Sequence, residues 1–235
     1  MKKMNGLLAL SVAVVGLVGC GGGSSIDGID IADYMPNQNM IKEYEEKKQL
    51  PGEAVTSNDI VETITVSTID GHRVIVQEQG VSIEKHIINE DNVSTYGNGD
   101  VLKYVSERYV ALGDITIFKQ MTLPMLGDNR DITIECKIEE KINSFLTDPA
   151  GAPIYTGDMI LVACTIRTDE PVVLDGVSYN YDNHAYYVMK RDIGLVGRID
   201  LNCYVDPDDR VIDDSNYDTC PAIKRGSNIM IWDNS

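Results

Sequence analysis

Alternation between apolar and polar positions is the main pattern of this chain. Three runs rich in β-branched residues cover residues 63–69, 73–79 and 81–88. Asp70-Gly71 separates the first two runs, and Gly80 separates the second from the third. Glycine accepts the positive φ that a tight hairpin turn requires. The pattern therefore predicts consecutive antiparallel strands joined by short turns.

The same pattern continues to the end of the chain. Further strands are predicted at residues 101–109, 115–121, 131–138, 159–168, 172–179, 184–189, 195–205 and 229–232. Turn residues recur about every ten residues, and no long helical pattern lies between the runs, which favours an antiparallel sheet over a βαβ arrangement. We expect a mainly β fold, an antiparallel sandwich or a barrel or half-barrel, in a single domain over residues 34–235.

One segment departs from this pattern. Residues 39–49 are rich in Glu and Lys, and Met40 and Tyr44 fall on one face of a helix. This spacing predicts a short N-terminal helix. The alternative is a first strand that exposes Glu43 and Glu45.

The start of the chain has the layout of a secretory signal. Lys2 and Lys3 precede an uncharged, mostly apolar run over residues 6–19. That run is shorter than the roughly 20 apolar residues that a membrane-spanning helix needs. Leu17-Val18-Gly19-Cys20 resembles the lipobox of bacterial lipoproteins, and the resemblance implies cleavage after residue 19 and a lipid on Cys20. An ordinary signal peptide that ends at a cysteine is the alternative.

The residues after Cys20 predict a tether. Gly-Gly-Gly-Ser-Ser follows directly and has no apolar surface to bury, so residues 20–33 are expected to form a flexible spacer. Position 21 is Gly and not the Asp that marks inner-membrane retention in well-studied lipoproteins. The resemblance therefore implies a cell-envelope location at the outer membrane.

The charge of the chain limits its partners. The net charge is −17, and removal of residues 1–19 takes away Lys2 and Lys3 and no acidic residue, which makes it −19. Binding to nucleic acid depends on basic clusters, and the sequence has none, so nucleic acid is excluded as a partner. The acidic surface is expected to keep the protein dispersed, and a cationic partner is the alternative.

The remaining cysteines predict disulfides. Cys136, Cys164, Cys203 and Cys220 are an even number in an oxidising compartment, and three pairings are possible. Pairing of nearest neighbours joins Cys136 to Cys164 and Cys203 to Cys220. A zinc site is disfavoured because no C-x-x-C spacing occurs.

An acidic loop lies between the last two cysteines. Its weak candidates for calcium ligands are Asp206, Asp208, Asp213 and Asp214. Arg210 and Val211 break the EF-hand spacing, so a solvated loop is favoured over a metal site. We expect no metal and no cofactor.

The sequence contains no recognisable catalytic motif. His72, His86 and His184 have no nucleophile in a known spacing, and G-x-S-x-G, H-E-x-x-H and P-loop motifs are absent. The tyrosines at 179, 181, 186 and 187 could line a binding face, but cross-strand packing is the favoured interpretation. We therefore expect a protein that is not an enzyme.

Residues 185–196 resemble a segment of uncharacterised periplasmic β-sheet lipoproteins, in which an aromatic-rich strand turns into the next strand. Asp192 stands where that segment usually has an additional glycine. The resemblance implies a β-sheet fold and no particular activity.

Three functions follow from these observations. The first is an envelope lipoprotein whose β-domain binds a protein or small ligand, or is structural. The second is a carrier that encloses an apolar ligand, and the third is a hydrolase with an unrecognised site. An apolar cavity on the concave side of the sheet would favour the carrier, and a filled core would favour the first function.

Overall fold

The computed structural model describes residues 28–49, 54–125, 128–147, 153–168, 172–174, 177–179, 182–203 and 225–233. These residues are mainly β-strand, as the alternation predicts. The strands are β1 (Ile29–Asp30), β2 (Met40–Gln49), β3 (Thr56–Ile69), β4 (His72–Gln79), β5 (Ser82–Ile88), β6 (Asn92–Gly97), β7 (Val101–Glu107), β8 (Tyr109–Val110), β9 (Ile115–Met125), β10 (Asp128–Thr147), β11 (Pro153–Thr168), β12 (Val172–Leu174), β13 (Val177–Tyr179), β14 (Asp182–Lys190), β15 (Gly194–Cys203) and β16 (Arg225–Asp233).

Twelve of these strands form one sheet in the order β7-β6-β5-β4-β3-β2-β16-β15-β14-β11-β10-β9. Neighbouring strands in this order are antiparallel, including β2 and β16, which come from opposite ends of the chain. β1 pairs with β8, and β12 pairs with β13, in two small separate sheets. The predicted hairpin turn after β3 is present, with positive φ at Asp70 and Gly71.

The large sheet is curved into an incomplete barrel. Cα atoms of its two edge strands, β7 and β9, come within 8 Å of each other, but the strands form no ladder. The architecture is therefore one antiparallel sheet closed on itself only in part. The prediction of a mainly β, antiparallel fold is confirmed, and the barrel is not a closed one.

Residues 29–36 close one end of this barrel, and we call them the plug. Its central part is a 3-10 turn, Ile31–Tyr34, whose first backbone N–H groups are partly satisfied by the Asp30 side chain, which accepts from Ala32 N at 3.0 Å. Ile31 packs against two apolar clusters, one on the β3–β6 side and one on the β10–β11 side. The plug therefore joins the two sides of the curved sheet.

Polar contacts fix the plug to the turns around it. Arg108 holds the Asp30 carboxylate with two parallel hydrogen bonds, Nε to Oδ1 at 2.9 Å and Nη2 to Oδ2 at 2.8 Å. Arg73 donates to the Ala32 carbonyl, and Asp192 N donates to the Asp33 carbonyl at 2.8 Å. Residues 29–33, which the sequence assigns to the tether, are thus packed into the domain.

We call the end that the plug occupies the closed end and the other end the open end. The turns after β3, β5 and β14 lie at the closed end, because Arg73, Arg108 and Asp192 next to them contact the plug. Since the strands are antiparallel, the turns after β4 and β6 lie at the open end.

The predicted helix over residues 39–49 is wrong. These residues form β2, in which Lys42 and Tyr44 are buried and Ile41, Glu43 and Glu45 are exposed. Buried and exposed residues alternate with period 2 in this strand. One of the buried positions holds a lysine, so the alternation does not show as a pattern of apolar and polar residues. Strand β6 was also missed, because outward Asn92 and Ser94 and inward Thr95 leave it without a clear alternation of apolar and polar residues.

Candidate functional site

The concave side of the sheet encloses a cavity of about 530 Å³, which we call the lumen. Its floor is the plug, where Ile31, Tyr34, Met35 and Pro36 face the cavity. Its walls come from strands on both sides of the barrel, so no short segment of the chain contains the site. The core of the domain is therefore not completely filled by side chains.

One wall of the lumen is apolar. Strands β10, β11 and β14 contribute the side chains of this wall, which include Ile134, Ile138, Ile160, Val162 and Met189. Each of these strands places alternate residues on the concave face, so the lining positions are two apart: 134, 136 and 138 on β10, and 160, 162 and 164 on β11.

A disulfide lies within the apolar wall. Cys136 on β10 and Cys164 on β11 are directly opposite in the ladder and are bonded to each other, as nearest-neighbour pairing predicts. Both cysteines are buried and pack with Ala185 of β14. The bond links the two strands where they line the lumen.

The opposite wall is polar, and its side chains are hydrogen-bonded to one another. Gln77 is the central residue: its Nε2 donates to Glu62 Oε1 at 3.2 Å, and its Oε1 lies 2.6 Å from His86 Nε2. The other ring nitrogen, His86 Nδ1, lies 3.0 Å from Thr95 Oγ1. The network runs across β3, β4, β5 and β6 because these residues occupy inward positions in neighbouring strands.

Burial sets the protonation of this wall. It lowers the pKa of His86, so the imidazole is neutral at pH 7. The neutral ring donates from Nε2 to Gln77 and accepts from Thr95 at Nδ1, which is the assignment that satisfies both contacts. Burial also raises the pKa of Glu62, and the hydrogen bond from Tyr44 and the charge of Lys42 act against that rise.

Lys42 is completely buried beside this wall. Its ammonium group donates to the carbonyl oxygens of Ile193 at 2.7 Å and Leu195 at 2.8 Å. It also lies 5.3 Å from the ring centroid of Trp232. Loss of hydration lowers the pKa of Lys42 from 10.5 to about 8, although the nearby carboxylate of Glu62 acts in the opposite direction. The lysine therefore connects β2 to the start of β15.

Three charged residues of the lumen, Lys103, Glu84 and Arg198, belong to ion pairs. Lys103 donates to Glu84 Oε2 at 2.7 Å, and Arg198 lies 2.8 Å from Asp200 Oδ2. Arg198 also lies 5.4 Å from the ring centroid of Tyr187. Lys103 and Glu84 are near the open end, because each lies within four residues of a turn there. The lumen thus has an apolar wall, a polar wall and the ion pair of Lys103 and Glu84 toward its mouth.

The histidines and tyrosines singled out in the sequence fall in different places. His72 is exposed at the start of β4, His86 is in the polar wall, and His184 is half-buried in β14. Tyr187 faces the lumen, so it can both pack against neighbouring strands and contact a ligand. The side chains of Tyr179 and Tyr181 lie outside the described residues.

Most of the other predicted sites lie where the structure gives no description. These are Cys20, Cys220, Asp206, Asp208, Asp213 and Asp214, and for Cys203 only the backbone, at the end of β15, is described. The Cys203–Cys220 disulfide, the lipid site and the metal question stay predictions. Within the described ranges, no group of three or more His, Cys, Asp or Glu residues could hold a metal ion.

Sequence reasoning missed the polar residues of the lumen. Inward strand positions, where the pattern leads one to expect apolar residues, hold Glu62, Gln77 and Glu84 in the lumen and Lys42 beside it. The signal available in the sequence was a polar residue two positions away from a buried one, namely Tyr44, Ile64 or Ile75. That signal can be recognised only when it is already known which residues of each strand face inward.

Comparisons with known proteins add little to this site. No protein-family model matches the chain, and no curated protein matches it in sequence. The chain is similar to a solved structure of a DUF1329 family protein from Desulfovibrio piger, at 8% identity and a TM-score of 0.25, with 87% of each chain covered. Values this low do not establish a shared function or a shared fold.

Within the described part of the chain, no helix has the length and the apolar character needed to cross a bilayer.

Proposed function

We propose that this protein is a lipid-anchored lipoprotein of the cell envelope that carries an amphiphilic small molecule in its lumen and is not an enzyme. The observation that supports the carrier is the lumen itself. Its volume of about 530 Å³ lies within the range of roughly 300 to 1,000 Å³ that is usual for small-molecule sites. A structural domain would fill this space with side chains, because protein interiors are close-packed.

The two walls support an amphiphile over a purely apolar ligand. An acyl chain or another hydrocarbon would lie against Ile138, Ile160 and Val162, near the plug. A polar head would lie toward the open end, beside the ion pair of Lys103 and Glu84. Because the buried polar groups between them already bond to one another, they cost little when an apolar chain covers them.

The hydrolase is less well supported. The pair of Thr95 and His86 has a distance suitable for a nucleophile and a base. However, Thr95 is only 1% exposed, and its hydroxyl also hydrogen-bonds to Tyr104. We therefore assign this network the role of a pre-formed wall. Hydrolysis of a p-nitrophenyl ester by the wild-type protein that is lost in Thr95→Val would contradict this assignment.

Binding of a fluorescent fatty acid, cis-parinaric acid, tests the carrier. We expect saturable binding with about one probe per chain, and displacement by unlabelled fatty acid. The variant Val162→Trp should abolish binding, because the indole fills the lumen from the apolar wall. Native mass spectrometry of gently purified protein would identify a ligand that is retained.

A matched substitution on the convex side is the control. Val61 of β3 is 52% exposed, so Val61→Trp adds the same side chain outside the lumen. This variant should bind the probe like the wild type. The carrier proposal fails if the wild type does not bind the probe, or if Val162→Trp binds it as well as Val61→Trp does.

A further inference from the structure

Two neighbouring hairpins at the open end expose apolar side chains to solvent. Val81 lies in the turn after β4 and is 93% exposed, and Ile83 follows it at 43%. Val101 and Leu102 begin β7, after the turn that follows β6, and are 64% and 52% exposed. We call these four residues the tip patch. Exposed apolar residues that occur together indicate an interaction surface more often than single ones do.

Polar side chains hold the two hairpins together. Asn98, in the turn after β6, accepts a hydrogen bond from Ile83 N at 2.6 Å and donates one to the Val81 carbonyl at 3.0 Å. Lys85 and Asp100 form an ion pair between the same two hairpins. These contacts fix the two hairpins relative to each other. The four apolar residues of the tip patch therefore keep a fixed arrangement.

The tip patch borders the mouth of the lumen. Ser82 and Glu84 line the lumen and alternate in the sequence with Val81 and Ile83, and Lys103 lines it next to Leu102. A molecule that enters or leaves through the open end on this side therefore passes the tip patch. This continuity connects the patch to the proposed ligand.

From this continuity we propose that the tip patch inserts into the surface of an electrically neutral phospholipid bilayer, so that an amphiphile passes between bilayer and lumen. The part concerning the amphiphile rests on the proposed function, whereas contact with the bilayer does not. An apolar tip in the bilayer interface shields the hydrocarbon part of the ligand from water during transfer.

Charge favours a neutral bilayer over an anionic one. The charged residues next to the patch are paired, Lys85 with Asp100 and Lys103 with Glu84, so they leave no free positive charge for anionic lipid. The whole chain carries a net charge of −17. An anionic surface therefore repels this protein, and the attraction has to be apolar.

The size of the patch favours lipid over a protein partner. A stable protein interface uses about 20 to 30 residues on each side. The tip patch has four residues in two hairpins at the open end, a size that suits insertion into a soft bilayer.

Flotation with phosphatidylcholine vesicles tests this proposal. The protein used is the chain from residue 20 with Cys20→Ser, which has no lipid of its own and contains every residue of the fold described above. We expect it to float with the vesicles, and we expect the double variant Val81→Asp, Leu102→Asp to float at least tenfold less. The control is Ile69→Asp, Leu112→Asp, at residues that are 56% and 53% exposed at the closed end, and it should float like the parent.

Three results would overturn the proposal. The first is equal flotation of the tip variant and its parent. The second is flotation that requires anionic lipid and disappears in high salt. The third is a dimer, seen by light scattering and lost in the tip variant, which would make the patch a contact between two copies of this chain.

Binding of cis-parinaric acid by the same variants separates this proposal from the carrier. If the lumen takes the probe but the tip variant floats normally, the carrier stands and the tip proposal fails. If the parent floats through its tip but binds no probe, the carrier fails and the bilayer contact stands. When both proposals hold, the tip variant binds the probe in solution and receives it from vesicles more slowly than the control.

Discussion

The buried ammonium group of Lys42 should make the protein more stable as the pH rises from 7 to 9.5. The pKa of Lys42 is lowered by burial from 10.5 to about 8 in the folded chain. In the unfolded chain this lysine has its ordinary value of about 10.4. Between these two values the unfolded chain binds more protons than the folded one, so the free energy of unfolding increases with pH.

The size of the effect follows from the two pKa values. At pH 7 the lowered pKa costs the folded state about 3 kcal/mol, and at pH 9.5 about 1.4 kcal/mol remains. The expected gain is therefore about 2 kcal/mol. Measurements should stop near pH 9.5. Burial raises the pKa of Tyr34 and Tyr104 to about 12 in the folded chain, whereas tyrosines of the unfolded chain ionise near pH 10. Above that pH the unfolded chain loses protons that the folded chain keeps, and the free energy of unfolding falls.

Urea unfolding followed by the fluorescence of Trp232, the single tryptophan of the chain, measures this change. The variant Lys42→Met should remove the rise, because it has no group to titrate at this position. The control Lys47→Met is on the same strand, where the side chain is 52% exposed, and it should keep the rise. A wild-type protein without the rise, or a Lys42→Met variant that keeps all of it, would refute the reasoning.

Three further predictions concern packing, the plug and the anchor. Gly197→Ala should cost about 1 to 3 kcal/mol of stability, because a Cβ there would lie 2.8 Å from Cζ of the Phe145 ring, and thermal unfolding should show a smaller cost in a Phe145→Ala background. Asp30→Ala should lower the free energy of unfolding by about 2 kcal/mol, because it removes the carboxylate that Arg108 holds. Amide hydrogen exchange should then become faster in the plug. Unchanged exchange there would contradict the view that these contacts hold the plug in place. Cys20→Ser should abolish lipid attachment, and unchanged partition into the detergent phase would contradict the lipobox interpretation.

Local patterns in the sequence predict most strands but not the lumen. The turn at Asp70-Gly71 and the runs on either side of it need only neighbouring residues, and the structure contains that hairpin. The pairing of β2 with β16 joins residues that are far apart in the chain, such as Glu45 and Ile231. No local pattern specifies such a pair, and the lumen exists only after distant strands have closed the curve.

The helix predicted at residues 39–49 shows the physical reason for a second failure. Patterns treat lysine as a solvent-facing residue, because a buried ammonium group is costly. In this protein two carbonyl groups and the Trp232 ring accept Lys42, so a polar residue occupies an inward position of β2. The same holds for Gln77 and His86, which satisfy each other. The partners of these polar side chains come together only in the folded protein. Their inward positions therefore cannot be recognised from the sequence alone.

The plug determines which way the mouth points if Cys20 carries a lipid. Seven residues, Gly21 to Asp27, separate Cys20 from the first described residue, and fully extended they span at most about 25 Å. They join the domain at the closed end, and strands of ten residues such as β15 place the open end about 30 Å farther away. The tether is too short for the domain to turn upside down on its own leaflet. The open end of an anchored domain therefore points away from the membrane that holds the lipid. The bilayer that the tip patch contacts can then be a different one from the bilayer that holds the anchor.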